Sequence, residues 1–387
     1  MQRNRIVFWQ GQPSPHQSSC LRALASEVAQ ATVIAVFESP LRTARLELGW
    51  REPEFGLVKI YVSPNNRQID ELVLTEPEGS IHIFGGFRGA MIQRALARCV
   101  STRSLIGIMS EWRRWTGWLG MARVAHSLLV ERRHRARVDF VLAIGHLGVR
   151  WFEMCGYSAD RIFPWAYIVE ATDCRGVPGE QDRGSSTRVR LAFVGRCVAV
   201  KDIGTLLRAL AKLPQNSWDL LIVGDGPHRP TLQRIAQKLG IIEQVNFAGI
   251  RTNSEVRGIL TQTDLLIMPS RGDGWGAVVN EALMCGVPVV CSDHCGAADL
   301  IGNSDRGEVF RAGDAAQLTQ VLTRWIDKGR VTPQRREEIQ EWSRCIEGPP
   351  AAQYLVKIVE HIEGEAAVRP IAPWLSRQRG AELTGGA

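Results

Sequence analysis

VRLAFVGRCVAVKDIGTLLRALAKL, residues 189–213, writes a strand, a loop and a helix in one line. The run VRLAFVG is apolar with little alternation, as a strand buried on both faces would be, and IGTLLRALAKL (203–213) carries apolar residues at helical spacing. Glycine and two cations, Arg196 and Lys201, occupy the interval. A strand feeding a helix in this way is half of a βαβ unit. It implies a parallel sheet whose ligands bind beyond the C-terminal ends of its strands.

The same rhythm extends in both directions. Downstream, DLLIVG (219–224), VNFAG (245–249), DLLIMPS (264–270), VPVVCS (287–292) and GEVF (307–310) alternate with helical segments such as RPTLQRIAQKLG (229–240) and GAVVNEALMCG (276–286). Upstream, IVFW (6–9), ATVIAVF (31–37), LVKIYV (57–62), IHIF (81–84), SLIGIM (104–109) and FVLAIG (140–145) do likewise, with CLRALASEVAQ (20–30) and AMIQRALARCV (90–100) between them. The fold expected is α/β, two doubly wound Rossmann-like domains over residues 1–170 and 171–348, facing each other across a ligand cleft. The aperiodic stretch 163–188 is the expected joint. Residues 349–365 read as a helix returning to the first domain, and 366–387 as a mobile tail.

Composition agrees with two folded cores: of 387 residues 45% are hydrophobic and 22% charged, which excludes a largely disordered chain. No run of about 18 apolar residues is present to span a bilayer, and the short apolar stretch near the N-terminus reads as a first strand rather than a signal peptide. Nine cysteines without a CxxC pair point to free thiols in a reducing, cytoplasmic setting. The net charge of +7 is concentrated. Residues 101–150 hold nine arginines and no lysine against three acids, and within 111–137 Trp112, Trp115 and Trp118 are interleaved with arginine. That combination suits an anionic membrane surface, apolar rings meeting acyl chains while guanidiniums meet headgroups, or else a solvated basic helix with its tryptophans inward. No nucleic-acid motif accompanies the charge.

Candidate chemistry sits in the loops after strands. Gly195, Arg196 and Lys201, beside a helix start, form a receptor for a diphosphate. Asp225 and Gly226 follow the next strand and either let a ligand ring lie close to backbone or simply end the strand. In RGDGWGAVVNEALMCGVPVV (271–290), Asp273 lies in a loop with Gly274, Trp275 and Gly276, and Glu281 lies about one and a half turns inside the helix that follows, roughly 8 Å along its axis. Two carboxylates so spaced suit two polyhydroxylated parts of one ligand, although Asp273 would also serve as a helix cap. Cys285, Cys291, His294 and Cys295 fit no zinc spacing, so no metal is expected. In the first half Ser14 and His16 stand on a proline-stiffened loop, and His82 lies inside a strand, where a core role is the plainer reading.

The second half resembles the retaining glycosyltransferases of sequence family 4, which have the GT-B fold. VGRCVAVKD is similar to their phosphate-binding segment, LLIVGDGP to their second nucleotide loop, and DGWGAVVNEALMCGVPVV to their paired-acid signature followed by Gly-x-Pro-Val-Val. The likeness runs from about residue 189 to 302. QPSPHQSSCLRALASE and RIFPWAY resemble, more loosely, the first loop and hinge of members that build bacterial exopolysaccharides and lipopolysaccharides. The resemblance implies a nucleotide-sugar donor and no metal or other cofactor. Arg196, Lys201 and Asp273 would be catalytic, Glu281 would hold the ribose, Ser14, His16 and Glu111 would lie on the acceptor side, and the enzyme would work at the inner face of the plasma membrane. Two positions depart from the pattern: Asp273 stands where glutamate is usual, about 1 to 1.5 Å shorter in reach, and Asp202 stands where glycine is commoner. A nucleotide-sugar epimerase, a phosphorylase and a catalytically silent nucleotide-binding paralogue are the alternatives.

Overall fold

The apolar runs become two wholly parallel sheets in the computed structural model, which describes residues 3–28, 31–46, 51–113, 115, 117–170, 187–302 and 305–376. Residues 171–186 of the expected joint, Arg114, the Arg133 side chain and residues 377–387 lie outside the described residues. The first sheet contains β1 (Arg5–Gln10), β2 (Thr32–Phe37), β3 (Lys59–Val62), β4 (Ser80–Phe84), β5 (Leu105–Glu111), β6 (Phe140–Ile144) and β7 (Ile162–Trp165), ordered β3-β2-β1-β4-β5-β6-β7. The second contains β8 (Val189–Val194), β9 (Trp218–Val223), β10 (Val245–Gly249), β11 (Leu265–Met268), β12 (Val289–Ser292) and β13 (Gly307–Phe310), ordered β10-β9-β8-β11-β12-β13. In both, the chain order reverses beside the first strand, between β1 and β4 and between β8 and β11. A doubly wound sheet opens its ligand crevice at that reversal.

Burial explains the sequence pattern. Every residue of β1, β4 and β6 is buried, and Ile6 lies opposite Val33 on one side and Ile81 on the other. Inside this core the Trp9 indole donates to His82 Nδ1 at 3.1 Å, and His82 is fully buried. β7 is an addition to the expected strands: Phe163, Pro164 and Trp165 open the expected joint of 163–188, yet with Ile162 they pair with β6 at the sheet edge, where Pro164 can sit in a strand.

One unit takes the chain to Glu170 and again from Cys345 onward, while the other extends to Arg344. The helix Gly348–Ile362 belongs to the first unit, its Tyr354 stacked on Trp165 at 5.8 Å. Residues 366–376 correct the expectation of a mobile tail. Trp374 is 1% exposed and meets Tyr354 edge-on at 5.9 Å, so burial of one large ring docks this segment. Seven cysteines are free and buried, but Cys285 is disulfide-bonded, which corrects the expectation of free thiols throughout.

Candidate functional site

The loops after β8 and β11 meet at the reversal point of the second sheet. Lys201 Nζ forms an ion pair with Asp273 Oδ2, the two side chains 17% and 15% exposed. Backbone geometry brings them together: Arg271 donates its amide to Val200 O at 2.8 Å, and Asp273 donates its own to His294 O at 2.9 Å. Asp202 adds a second tie. Its φ is 46°, in the left-handed region that glycine adopts freely and aspartate tolerates, which is why glycine would be at ease there. Its carboxylate accepts from Thr205 Oγ1 at 2.9 Å and from Arg271 Nε at 2.6 Å. Arg196, by contrast, is exposed, and its side chain has no hydrogen bond or ion pair among the described residues.

Gly276 has φ 94°, and a Cβ there would stand 2.9 Å from Cys295 Sγ and 3.6 Å from Asp273 Oδ2, so a side chain would crowd the carboxylate. Gly274 turns its carbonyl against Gly296. Trp275 is 1% exposed and donates its indole N–H to Asn280 Oδ1 at 2.7 Å. Trp275 is expected on the donor side, and the structure holds its indole in the core. The helix that follows spans Val278–Met284, so Glu281 lies in its first turn rather than one and a half turns inside. With only seven residues, this helix contributes a weak terminal field beside the full charge of Lys201. Among the described residues the Glu281 carboxyl has no hydrogen-bond partner. Burial pushes its pKa up to about 7, opposed by the Arg257 cation.

The loop after β9 is held by its own contacts. Asp225 accepts from the Gly226 amide at 2.6 Å and from Arg229 Nη1 at 2.9 Å, which together hold its pKa below the usual carboxylate range. A Cβ on Gly226 would lie 2.6 Å from Cys197 O, so glycine lets this loop pack directly on the one carrying Arg196. Strand ending and loop packing are both seen at these residues. The two cavities described in this unit, of about 300 Å³ beside Val189, Leu265 and Pro288 and about 800 Å³ beside Leu220, Val245 and Gln262, are lined from strand starts or strand flanks rather than from the loop cluster.

In the first unit the three acceptor-side candidates gather around Tyr167, a residue that sequence reasoning passed over. Its phenol donates to Glu111 Oε1, and its ring stacks on His16 at 5.1 Å. Ser14 Oγ accepts the His16 amide at 3.3 Å, and Ile168 donates to His16 O at 2.8 Å. Burial, with Arg45 adding to it, lowers the His16 pKa to about 4, so the imidazole is neutral at physiological pH.

The basic segment divides in two. Arg113 pairs with Glu131 at 2.9 Å, Arg135 donates to Cys155 O, and Arg137 donates to Thr102 O at 2.8 Å, so much of the positive charge is engaged within the unit. Trp112 and Trp115 pack inward, Trp115 stacking on Trp151 at 6.4 Å. Trp118 does the opposite at 74% exposure, and on the same helix, Gly117–Val130, Met121 and Leu129 are 69% and 76% exposed. This helix contains no Asp or Glu. At 100° per residue, Met121, Ala125, Trp118, Leu129, Ala122, His126 and Leu119 share its outward side. Among the described residues no helix is long and apolar enough to cross a membrane, and no three His, Cys, Asp or Glu side chains gather as metal ligands would.

Residues 180–344, within the second unit, match the family described as glycosyl transferases group 1. The chain is 30% identical over 139 residues to a 2-deoxystreptamine glucosyltransferase of Streptomyces kanamyceticus, covering 35% of this chain and 36% of that protein. It is 35% identical over 153 residues to a putative teichuronic acid biosynthesis glycosyltransferase of Bacillus subtilis, covering 39% and 37%. The matches thus span little more than a third of these relatives. Among solved structures, Anabaena HepE in complex with UDP superposes with a TM-score of 0.70 at 16% identity, over 92% of this chain and 100% of that one. The lipopolysaccharide outer core galactosyltransferase WaaB gives 0.66 at 16%, over 92% and 99%. At these identities the likeness establishes the fold, which is GT-B.

Proposed function

We propose that the protein is a retaining glycosyltransferase that moves a sugar from a nucleoside-diphosphate donor to a hydroxyl of a lipid-linked or cell-surface polysaccharide precursor. The observation that carries this reading is the meeting of Lys201 and Asp273, a cation for phosphate and a carboxylate for hydroxyls, at the reversal point of a glycosyl transferases group 1 domain. Arg196 and Lys201 would stabilise charge developing on the leaving diphosphate, the largest electrostatic demand of the transition state. Asp273 orients the donor sugar and Glu281 accepts from the ribose hydroxyls. Gly195, Gly274 and Gly276 leave room for the ligand to approach backbone. Ser14, His16 and Glu111 serve the acceptor. Transfer occurs on one face of the sugar: the bond to the acceptor oxygen forms as the bond to diphosphate breaks, and a leaving phosphate oxygen takes the acceptor's proton. No metal or other cofactor has a part in this scheme.

The names of the relatives, both glycosyl-transferring, and the UDP held by HepE support this reading over an epimerase, a phosphorylase or a silent nucleotide binder. The test is thermal unfolding with UDP, GDP, ADP and their sugars, followed by transfer assays with whichever donor binds. A ligand at about 100 times its Kd adds about 2.7 kcal/mol of stability, a clear rise in melting temperature. A melting temperature indifferent to all of them overturns the proposal.

The acceptor's lipid places the enzyme at the inner face of the plasma membrane, held by the outward side of the Gly117–Val130 helix. Exposed Trp118, Met121 and Leu129, with no acid on the helix, support an anionic, apolar partner surface. The protein is expected to sediment with vesicles of anionic phospholipid, less so in high salt, and not with neutral ones. Replacing Trp118 and Leu129 together by serine is expected to abolish it; sedimentation indifferent to lipid charge argues against this placement.

A further inference from the structure

We propose that the first unit holds a further binding site, for a small polyhydroxylated anion, in the cavity between the helix Asn66–Leu74 and the starts of β1, β2 and β3. The cavity measures about 590 Å³, the size of a small-ligand site, and lies wholly within that unit. It opens at the N-terminal ends of the strands. Ser14 and His16 follow β1 and Glu111 ends β5, at the opposite end of the same sheet, so this cavity is separate from the acceptor candidates.

Arg5 supplies the charge. It lines the cavity at only 6% exposure, and Nη1 makes both hydrogen bonds of its guanidinium, to Thr75 O and Ser80 Oγ, each at 3.1 Å. Among the described residues no carboxylate pairs with it, and Nε and Nη2 donate to nothing. Buried charges are ordinarily paired, so an arginine withdrawn from water without an acid leaves a place for an outside anion. Burial lowers its pKa, with Glu76, Tyr61 and Cys99 opposing through space. The edge formed by Nε and Nη2 is the one that takes two oxygens of a carboxylate or phosphate at once. Lys59, on the edge strand β3, adds a second cation. Of the two acids that line the cavity, Glu71 is engaged by Arg67 at 2.7 Å and Glu76 is exposed. Asn4, Tyr61 and Gln68 offer uncharged groups to hydroxyls; Gln68 Oε1 is taken by the Asn65 amide at 2.9 Å, which leaves its amide nitrogen to donate.

The test titrates glucose 6-phosphate, glucuronate and glucose into wild type and variants by calorimetry, with melting curves to establish that each variant is folded. Wild type is expected to bind at least one of the two anions and not glucose. Tighter binding of glucose 6-phosphate assigns a phosphate ligand, and of glucuronate a carboxylate. Lys59 is exposed, with no hydrogen bond or ion pair among the described residues, so Lys59→Gln keeps the fold and is expected to weaken anion binding about threefold, the scale of an exposed charge contact. Arg5→Lys keeps the charge but loses the two-nitrogen edge, and is expected to weaken it about tenfold or more. Glu76→Gln removes a repelling charge and is expected to tighten it. Lys201→Ala, which alters the donor site, is expected to bind the anion as wild type does. Failure of both anions to bind wild type, wild-type affinity in Lys59→Gln or in folded Arg5→Lys, or loss of binding in Lys201→Ala overturns the proposal.

Discussion

Replacing Lys201 by alanine is expected to lower turnover by about two orders of magnitude or more, the scale seen when one stabilising donor is removed from a developing oxyanion. Arg196→Ala is expected to fall on the same scale, and the pair is informative because their surroundings differ. Lys201 is enclosed and ion-paired, so its loss leaves the Asp273 carboxylate without that cation, and the variant should also melt at a lower temperature. Arg196 is exposed and has no partner among the described residues, so its replacement should leave stability within about 0.5 kcal/mol of wild type. A cation that costs nothing to fold and much to catalysis has no structural role to confuse the result. The measurement is single-turnover transfer beside a melting curve for each variant; wild-type turnover in both removes these residues from the mechanism.

The architecture was legible because buried parallel strands leave a strong mark. Runs such as VRLAFVG and DLLIM are apolar without alternation only when both faces are covered, and the helices between them carry their own period. β7 escaped because IFPW is four residues long and includes proline, which argues against a strand except at an edge, and edge position is a property of the assembled sheet. Trp374 escaped for a related reason. The surrounding VRPIAPWLSRQRG has no period at all, and one ring finding Tyr354 leaves no trace in its neighbours.

The site was legible in its loops and not in its contacts. Position after a strand singled out Arg196, Lys201 and Asp273, but nothing in spacing says that Lys201 and Asp273, 72 residues apart, touch. Nor does spacing give the Asp202–Arg271 tie or the stacking of Tyr167 on His16. Such partners are chosen by the register of strands distant in sequence. One signal was present and could have been taken further: an aspartate where glycine is commoner marks a left-handed backbone position, which Asp202 occupies. Spacing also does not say that Asn280, five residues on, draws the Trp275 indole into the core.

Glu281→Gln is expected to stabilise the folded protein by about 2–3 kcal/mol at pH 8 while weakening nucleotide binding. Burial raises the Glu281 pKa from its ordinary 4.5 to about 7, because no hydrogen bond among the described residues repays the carboxylate for leaving water. The unfolded chain loses this proton near pH 4.5, and the folded chain keeps it until about 7. Between those values the folded state binds more protons, so wild type loses stability from this group as pH rises through the interval, and stays at the reduced level above it. Glutamine has no proton to lose. The gap between variant and wild type should therefore be near zero at pH 4, open between 4.5 and 7, and hold constant beyond, as read by denaturant unfolding across pH. A gap independent of pH would show that burial of this carboxyl is not the cause. Under the proposed reading, ribose hydroxyls supply the donors that the Glu281 carboxylate lacks among the described residues. Nucleotide affinity in wild type should then strengthen as pH rises through about 7, when Glu281 ionises and accepts from them, and that dependence should vanish in the glutamine variant.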